Sequence, residues 1–600
     1  MGARGGLDTN KGIVPIFIGV TGHRDLIEKD IPDIKKKVRA LITHIQSLCP
    51  NSPVSIMSPL ADGADRLVAL VGLEMKGVSL LCPLPLPKSE YMRDFDDKSK
   101  NEFEYLLSKA NHVVELPLAD GSTPDNIKEY STARNNQYEA VGKYVAWNSQ
   151  ILIALWNGKD TGETGGTASV VKYRLLELDI YDSGPVYHIF TDRYKTTGTA
   201  YTPELLPVKV KDRDLDLDVL YPIGWRHKYE VEDDPKRGAK DCYKQLLQDI
   251  DEFNRYAANL NEKDLLKVEQ SKNDLCPDKK HKGVSDGLNN IANVYAYADV
   301  LALQNQNVVH RSIVCIQGLV LASFLFLNLF AYVWAKTYML LIFIFLLGIG
   351  FCLYYYISRK KYEKKYIDYR VLAEGLRVQF FWKYMSSRKN VYEDYHLKYR
   401  DEIVWVVHAM RCVSMAANID ISETKPIVNR RNSIEDVINL WVRDQSRWFK
   451  KRVNEKTSIS KRLKINTKIL LFIVFVLVFY LLIMKADSYK EFPHSNLMDM
   501  KNIQESPRYL SIMIAIEMCI LIAAAHHTYG DKRAFTDEVK QYLRMADIFN
   551  IDARSPVEEA LRENRLDDAE NRLIEIGREA LTENGDWLFI HRSHPLKRPL

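Results

Sequence analysis

The stretch from Ser312 to Ile357 constrains this chain more than any other feature of its sequence. It consists of two apolar runs without an ionised side chain, separated by a short break at Lys336. Each run is roughly 20 residues long, about what a helix needs to cross a hydrocarbon core of about 30 Å. Because a helix satisfies every backbone donor and acceptor without water, the pair predicts a transmembrane hairpin. A buried hairpin of a large soluble protein is the alternative.

A second pair of apolar runs, Thr467–Met484 and Tyr509–His527, predicts two further spans. Clusters of Lys and Arg border both hairpins on one side, in RKKYEKK after Ser358 and in KKRVNEK and KRLK before Thr467. Such clusters mark the cytoplasmic side and attract anionic lipid. We therefore expect a multi-pass protein with four spans in a lipid bilayer and with its N- and C-termini in the cytoplasm.

Three polar residues within the spans are candidates for a membrane pathway: Glu517, Asn328 and Gln317. A carboxylate in hydrocarbon costs a few kcal/mol or more, so Glu517 is expected to face a bundle interior or a water-filled path. The alternative is a protonated Glu517 that bonds to a neighbouring helix. Asn328 and Gln317 fit ordinary interhelical hydrogen bonds equally well.

The segment 12–190 alternates short apolar runs with amphipathic helical stretches. Strands that are apolar on both faces and alternate with helices predict a doubly wound, Rossmann-like α/β domain with a parallel sheet. Separate α and β layers are the alternative. The segment from Thr191 to Pro235 is polar and predicts a connector of irregular structure.

These patterns divide the chain into six segments. They are an α/β domain (12–190), a connector and helical region (191–310), a first hairpin (311–358), a cytoplasmic helical region (359–466), a second hairpin (467–528) and a cytoplasmic helical tail (529–600).

The overall composition argues against two classes of partner. The net charge of +5 is mild for 600 residues, so no direct nucleic-acid binding is expected. The eight cysteines form no CxxC pair and no zinc spacing, so no metal site is expected.

Three turns of the α/β domain fall just past predicted strands, where open sheets bind ligands. They contain GVTGHRD after Ile18, SPLADGADR after Met57 and GETGGT after Thr161. Glycines let the backbone approach a phosphate, and the spacing is neither GxGxxG nor a Walker loop. The candidate ligand-binding residues are Gly19, Thr21, Gly22, His23, Arg24, Leu60, Asp62, Gly63, Ala64, Asp65, Arg66, Gly165, Gly166 and Thr167.

A fourth segment, Pro83–Arg93, follows the third predicted strand. It is a candidate to close over the ligand, with Arg93 reaching a phosphate. A surface loop stiffened by its prolines is the equally weighted alternative.

The motifs GVTGHRDL, SPLADGADRLVA and ALWNGKDTGETGGTASVV resemble the SLOG superfamily, which includes LOG proteins, DprA and the N-terminal region of TRPM channels. The segments YAYADVLALQNQ and YRVLAEGLRVQFFWK resemble SLATT-type membrane effectors. These resemblances imply a bacterial antiphage effector of the inner membrane. Its SLOG-like domain would sense a nucleotide second messenger, either ADP-ribose-like or cyclic, and a homo-oligomer would form a pore or disrupt the membrane.

One position departs from the hydrolytic members of that superfamily. LOG-type enzymes carry a glutamate three residues after the loop threonine, whereas here Val170 follows Thr167 at that spacing, and Glu163 and Glu177 are out of register. Because hydrolysis needs a carboxylate at the reacting centre, binding without turnover is favoured and no catalytic residue is assigned. The alternatives are a membrane-anchored nucleosidase using Asp62, Asp65 or Glu163, and a metabolite-gated ion channel.

Overall fold

The computed structural model describes residues 12–160, 162, 164–179, 182–194, 199–200, 208–212, 215–222, 235–277, 285–394, 403–420, 427–491, 506–533 and 535–593. The chain forms two compact units. The sheet unit comprises residues up to Val300 together with Leu372–Arg430, and the membrane unit comprises Leu301–Val371 and Arg431–Leu600.

The sheet unit is built on eight strands of the described residues. They are β1 (Ile16–Gly22), β2 (Val54–Met57), β3 (Val78–Leu84), β4 (His112–Glu115), β5 (Ile151–Trp156), β7 (Val186–Phe190), β9 (Val208–Asp212) and β10 (Leu217–Tyr221). Their order across the sheet is β4-β3-β2-β1-β5-β7-β10-β9. The first six are parallel, and β1 and β5 are buried along almost their whole length. A short pair, β6 (Lys159–Asp160) with β8 (Thr199–Ala200), forms a separate ribbon.

Helices alternate with the parallel strands, which confirms the predicted doubly wound α/β class. They are α1 (Ile31–Leu48), α2 (Ala64–Leu73), α3 (Lys88–Tyr91), α4 (Asp97–Lys109), α5 (Thr132–Asn148) and α6 (Thr167–Lys172). The sheet reverses its winding at β1, which is followed on one side by β2 and lies beside β5 on the other. That reversal is the position where open sheets bind ligands.

The prediction of an irregular connector is wrong for part of the segment from Thr191 to Pro235. Strands β9 and β10 lie in this segment and pair antiparallel, and β10 pairs antiparallel with β7. In β10 the buried residues alternate with half-buried ones. This period of two is typical of a strand with one covered face, and it is weaker than the continuous apolar runs of the parallel strands.

Helices from beyond the sheet complete the sheet unit: α7 (Pro235–Ala258), α8 (Glu262–Leu275), α12 (Val391–Asp394) and α13 (Val404–Asp420). Asn254 of α7 accepts from the Val14 N–H and donates to the Val14 carbonyl, both at 2.8 Å. Arg411 of α13 forms an ion pair with Asp182. The α/β domain is therefore tied to helices that lie far from it in the sequence.

The remaining described helices are long. They are α9 (Asp286–Tyr332), α10 (Thr337–Arg359), α11 (Tyr362–Tyr384), α14 (Ile427–Val437), α15 (Arg443–Glu491), α16 (Pro507–Lys532), α17 (Phe535–Ile548), α18 (Ile551–Arg562) and α19 (Leu566–Ser593).

Four stretches of the described chain are long and apolar enough to cross a membrane: Asp286–Tyr332, Thr337–Tyr384, Arg430–Met484 and Pro507–Ile548. In the most apolar 18-residue segment of each stretch, between 0% and 17% of the residues are buried by the rest of the chain. A hairpin in the core of a soluble protein would be covered by its own chain, so this exposure favours contact with lipid. The four spans predicted from the sequence coincide with these stretches.

Candidate functional site

A cavity of about 210 Å³ lies at the carboxyl ends of β1 and β5, where the sheet reverses its winding. The loops after these strands, the start of α2, one face of α5 and the start of α6 surround it. Its polar, charged and aromatic lining consists of Thr21, His23, Arg24, Asp65, Tyr91, Tyr138, Trp156, Lys159, Thr167 and Arg193.

The first predicted motif reaches this cavity through Thr21, Gly22, His23 and Arg24. A Cβ on Gly22 would lie 2.4 Å from Cβ of Ala64, so the loop packs closely on the start of α2. Arg24 is exposed, with its guanidinium 5.7 Å from the centre of the Tyr138 ring. It forms no ion pair within the described residues and is therefore available to an anion.

His23 contributes a neutral imidazole. Its Nε2 accepts a hydrogen bond from the Asn157 N–H at 3.1 Å, which leaves the proton on Nδ1. Burial lowers the pKa of His23, and the positive charge of Arg193 lowers it further. His23 therefore carries no charge near neutral pH and offers one hydrogen-bond donor.

Asp65 is the carboxylic acid of the cavity lining and is 6% exposed. Burial raises the pKa of Asp65 to about 7, while the nearby Arg24 opposes that shift. Because the ionised form is disfavoured by burial, a substantial fraction of Asp65 is protonated at neutral pH. Its negative charge therefore offsets the cavity's cations only in part.

The third predicted motif also reaches the cavity, through Gly165, Gly166 and Thr167. Gly165 has a φ of +77°, and a Cβ there would lie 2.9 Å from the backbone nitrogen of Glu139. This close packing holds the loop against α5. Val170, three residues after Thr167, also lines the cavity, so the wall is apolar there.

Sequence reasoning did not single out five polar, charged or aromatic side chains of the cavity lining. Lys159 forms no ion pair within the described residues, whereas Arg193 is paired with Asp25 at 3.0 Å. The other three are the aromatic residues Tyr91, Tyr138 and Trp156. The spacing of Tyr138, Val141, Gly142 and Val145 along one face of α5 is a helical signal, but it does not distinguish a cavity face from a core face.

Arg66 lies in the core and not in the cavity. Its side chain is 2% exposed and donates to the Leu60 carbonyl at 2.9 Å and to the Ser99 carbonyl at 3.0 Å. It also pairs with Asp62 at 2.8 Å. Arg66 therefore holds the turn before α2 in place, and Leu60 and Asp62 act as its partners and do not line the cavity.

Three other predicted residues, Gly19, Gly63 and Ala64, lie next to the cavity lining without being part of it. Gly19 lies within β1, where a Cβ would come 2.6 Å from Oγ of Ser149. Gly63 precedes α2 with a φ of +76°, and the Ala64 N–H donates to the His23 carbonyl at 3.0 Å. These residues fix the distance between the first loop and α2 without lining the cavity.

Arg93 is separate from the cavity lining. Its side chain is 57% exposed and pairs with Glu90 at 3.0 Å. The segment nevertheless contributes Tyr91, which is buried and lines the cavity. The structure therefore places Tyr91 of this segment at the cavity, and Arg93 outside its lining.

Of the two out-of-register glutamates, Glu177 is exposed and is not part of the cavity lining. Glu163 lies outside the described residues.

The polar residues of the membrane spans connect α9 to α16. The Tyr332 hydroxyl donates to Oε1 of Glu517 at 2.7 Å, and Nε2 of Gln317 donates to the Ala525 carbonyl at 3.2 Å. Asn328 is buried, and its Nδ2 has no hydrogen-bond partner within the described residues. These contacts agree with the interhelical alternative for Gln317 and with a Glu517 bonded to a neighbouring helix.

No protein-family model matches this sequence, and the comparison with curated proteins found no relative.

Proposed function

We propose that this chain is a membrane effector controlled by a nucleotide-derived ligand that binds in the cavity at β1 and β5. The observation that carries the proposal is the pair Arg24 and Lys159, two lining cations without an ion-pair partner among the described residues. Cations left unpaired in a cavity favour an anion, and a phosphate offers acceptors for both.

Aromatic side chains favour a nucleotide over a simple anion. Tyr91, Tyr138 and Trp156 line the same cavity as the cations. Aromatic rings stack on bases, while the cations and the neutral Nδ1–H of His23 suit phosphates and ribose hydroxyls. The resemblance of the three loops to the SLOG superfamily supports the same class, an ADP-ribose-like or cyclic nucleotide.

Helix α5 offers a route from the cavity to the rest of the sheet unit. Its Tyr138 and Val141 line the cavity, and at its other end the Trp147 carbonyl accepts from Nη1 of Arg411 in α13 at 2.9 Å. The chain passes between the two units inside α9, α11 and α14. A ligand that favours one arrangement of α5 would bias these helices, since it shifts states only by differential affinity.

In this proposal, ligand binding causes the membrane helices to form a pore or to disrupt the bilayer. Four spans per chain are too few to enclose a roomy pore, so the proposal includes a homo-oligomer. We place the protein in the bacterial inner membrane with both termini in the cytoplasm, as the Lys and Arg clusters predict. Antiphage defence is the setting that the resemblance supports.

The proposal is tested by measuring the binding of a nucleotide panel to the full chain in detergent. The panel contains ADP-ribose, its cyclic forms, NAD and cyclic oligonucleotides. Arg24→Gln should weaken the binding of the best ligand by about 10- to 100-fold, because a charge-assisted hydrogen bond is worth about 1.5–3 kcal/mol. Arg93→Gln is the matched control, since Arg93 is exposed and outside the lining, and it should leave affinity unchanged. Equal effects of both changes, or no binding by any nucleotide, would refute the proposed site.

The pKa of Asp65 leads us to expect that ligand binding depends on pH. Its pKa of about 7 means that it gains negative charge between about pH 6 and about pH 8. ADP-ribose, whose pyrophosphate does not titrate in that range, should therefore bind about three- to tenfold more weakly at the higher pH. Asp65→Asn should remove the dependence, whereas Asp62→Asn should retain it because Asp62 pairs with Arg66. A pH dependence that survives in Asp65→Asn would show that another group causes it.

The position of Asp65 favours a second candidate function, that of an enzyme acting on a nucleotide. A buried carboxylic acid with its pKa near 7 is suited to general acid or base catalysis, and it lines the cavity. Recovery of the intact ligand after binding would favour a sensor. Release of a free base or a phosphate by the wild type, abolished in Asp65→Asn, would establish a membrane-anchored nucleosidase or nucleotide hydrolase.

A further inference from the structure

A second cavity lies within the membrane unit, where the spans end on their basic side. Its walls come from α9, α11, α17, α19 and the end of α16. The lining residues that matter for its chemistry are His310, Tyr366, Lys532, Arg533, Glu538 and His591. The sequence analysis assigned no function to any of them.

Arg533 is the cation of this cavity that is best placed to bind an anion. Its guanidinium lies 5.1 Å from the centre of the Phe535 ring and 5.7 Å from that of Tyr529. One of its N–H groups donates to the Tyr529 hydroxyl at 3.2 Å, and it forms no ion pair within the described residues. The two rings restrict its orientation, so little further ordering is needed when an anion binds.

The buried acid of the same cavity is already compensated. Glu538 forms an ion pair with Lys456 and lies 3.6 Å from Nε2 of His591. Its charge is therefore directed to those partners and not to Arg533. Lys532 adds a second cation to the lining, and Glu363 is the other carboxylate there.

The cavity lies at the depth where phospholipid headgroups are expected. His310 lies two residues before the first apolar run, Tyr366 lies seven residues after the end of α10, and Arg533 directly follows α16. Exposed basic residues beside the spans on this side include Arg311, Arg359, Lys360, Lys361, Lys461, Arg462 and Lys464. Such clusters concentrate anionic lipid at the surface.

We propose that this cavity binds the phosphate of an anionic phospholipid headgroup, with Arg533 as its main contact. Phosphate is matched by the planar fork of an arginine, and a lipid held here would touch the middle of helix α9 and residues near the ends of α11, α16 and α19 at once. The site is independent of the nucleotide cavity and does not rest on the function proposed for it.

The test uses the full chain in a neutral detergent and follows its thermal unfolding midpoint. Short-chain phosphatidylglycerol should raise the midpoint by about 3–5 °C above the value with phosphatidylcholine of the same chain length. Arg533→Gln should lose most of that difference, and Arg533→Lys should keep part of it because the charge remains without the planar fork. Arg462→Gln, an equal change of charge at an exposed position beside the spans, should keep all of it.

A third arm with inorganic phosphate distinguishes the source of the anion. A phosphate effect as large as the lipid effect, and equally lost in Arg533→Gln, would assign the site to a soluble phosphate compound. Each variant is compared with its own midpoint in phosphatidylcholine, so a loss of basal stability does not obscure the result. Equal midpoints in the two lipids for the wild type, or a full lipid effect in Arg533→Gln, would overturn the proposal.

Discussion

Gly63→Ala is expected to reduce ligand affinity in the sheet unit by at least about tenfold and to lower the free energy of unfolding by about 2–4 kcal/mol. Gly63 has a φ of +76° and a ψ of −115°, a combination outside the left-handed helical region that costs an L-residue on the order of 1–3 kcal/mol. The added Cβ would also lie 2.4 Å from the Arg24 carbonyl oxygen and 2.5 Å from that of His23. Both are backbone atoms, so the loop that carries two cavity residues has to move.

Gly121→Ala is the matched control for this experiment. Gly121 has a φ of +79°, and none of the described residues comes within 4 Å of the Cβ position. It should lose only about 1 kcal/mol and should bind the ligand normally. Thermal unfolding and equilibrium binding of both variants separate the cost of the backbone conformation from the cost of the clash. If the two variants behaved alike, the close approach of the first loop to α2 would not be needed for binding.

Arg411→Leu is expected to lower the free energy of unfolding by about 3–5 kcal/mol, because it leaves a buried carboxylate without its partner. Arg411 has 0% side-chain exposure, and Asp182 has 10%. Arg411 also donates to the Trp147 carbonyl, so its loss frees the end of α5 from α13. Arg411→Leu combined with Asp182→Asn should recover part of the loss, since the uncompensated charge is then removed as well.

Arg431→Leu provides the comparison for a surface ion pair. Arg431 pairs with Glu435 at 3.1 Å, and both side chains are exposed, so its removal should cost about 0.3–0.5 kcal/mol. Chemical or thermal unfolding of the full chain measures both variants under the same conditions. A loss in Arg411→Leu no larger than that in Arg431→Leu would mean that α13 is not held to the α/β domain by this pair.

Much of the fold could be predicted because it depends on local patterns. The spans are continuous apolar runs, and β1 and β5 are continuous apolar strands, so each is recognisable without knowing its neighbours. Strands β9 and β10 were missed because their alternation is short and lies in a polar setting. The attachment of α7 and α13 to the α/β domain depends on contacts between distant residues, such as Asn254 with Val14, which no local pattern contains.

The site was predicted less completely than the fold. Residues of all three glycine-rich motifs line the cavity, including Pro59 and Ala61 of the second, because the ends of parallel strands meet at one edge of a sheet. Arg24 and Arg66 both follow glycines in such motifs, yet the fold exposes Arg24 and surrounds Arg66 with the Leu60 and Ser99 carbonyls.

By itself the sequence determined that this chain has four membrane-length helices and a doubly wound α/β domain. Both follow from the composition and period of single segments. Among the described residues, the tertiary structure alone decided which cations have no ion-pair partner, because that depends on burial and on partners distant in sequence. It left Arg24 and Lys159 at one cavity and Arg533 at another, while it paired Arg66, Arg93 and Arg411 with carboxylates.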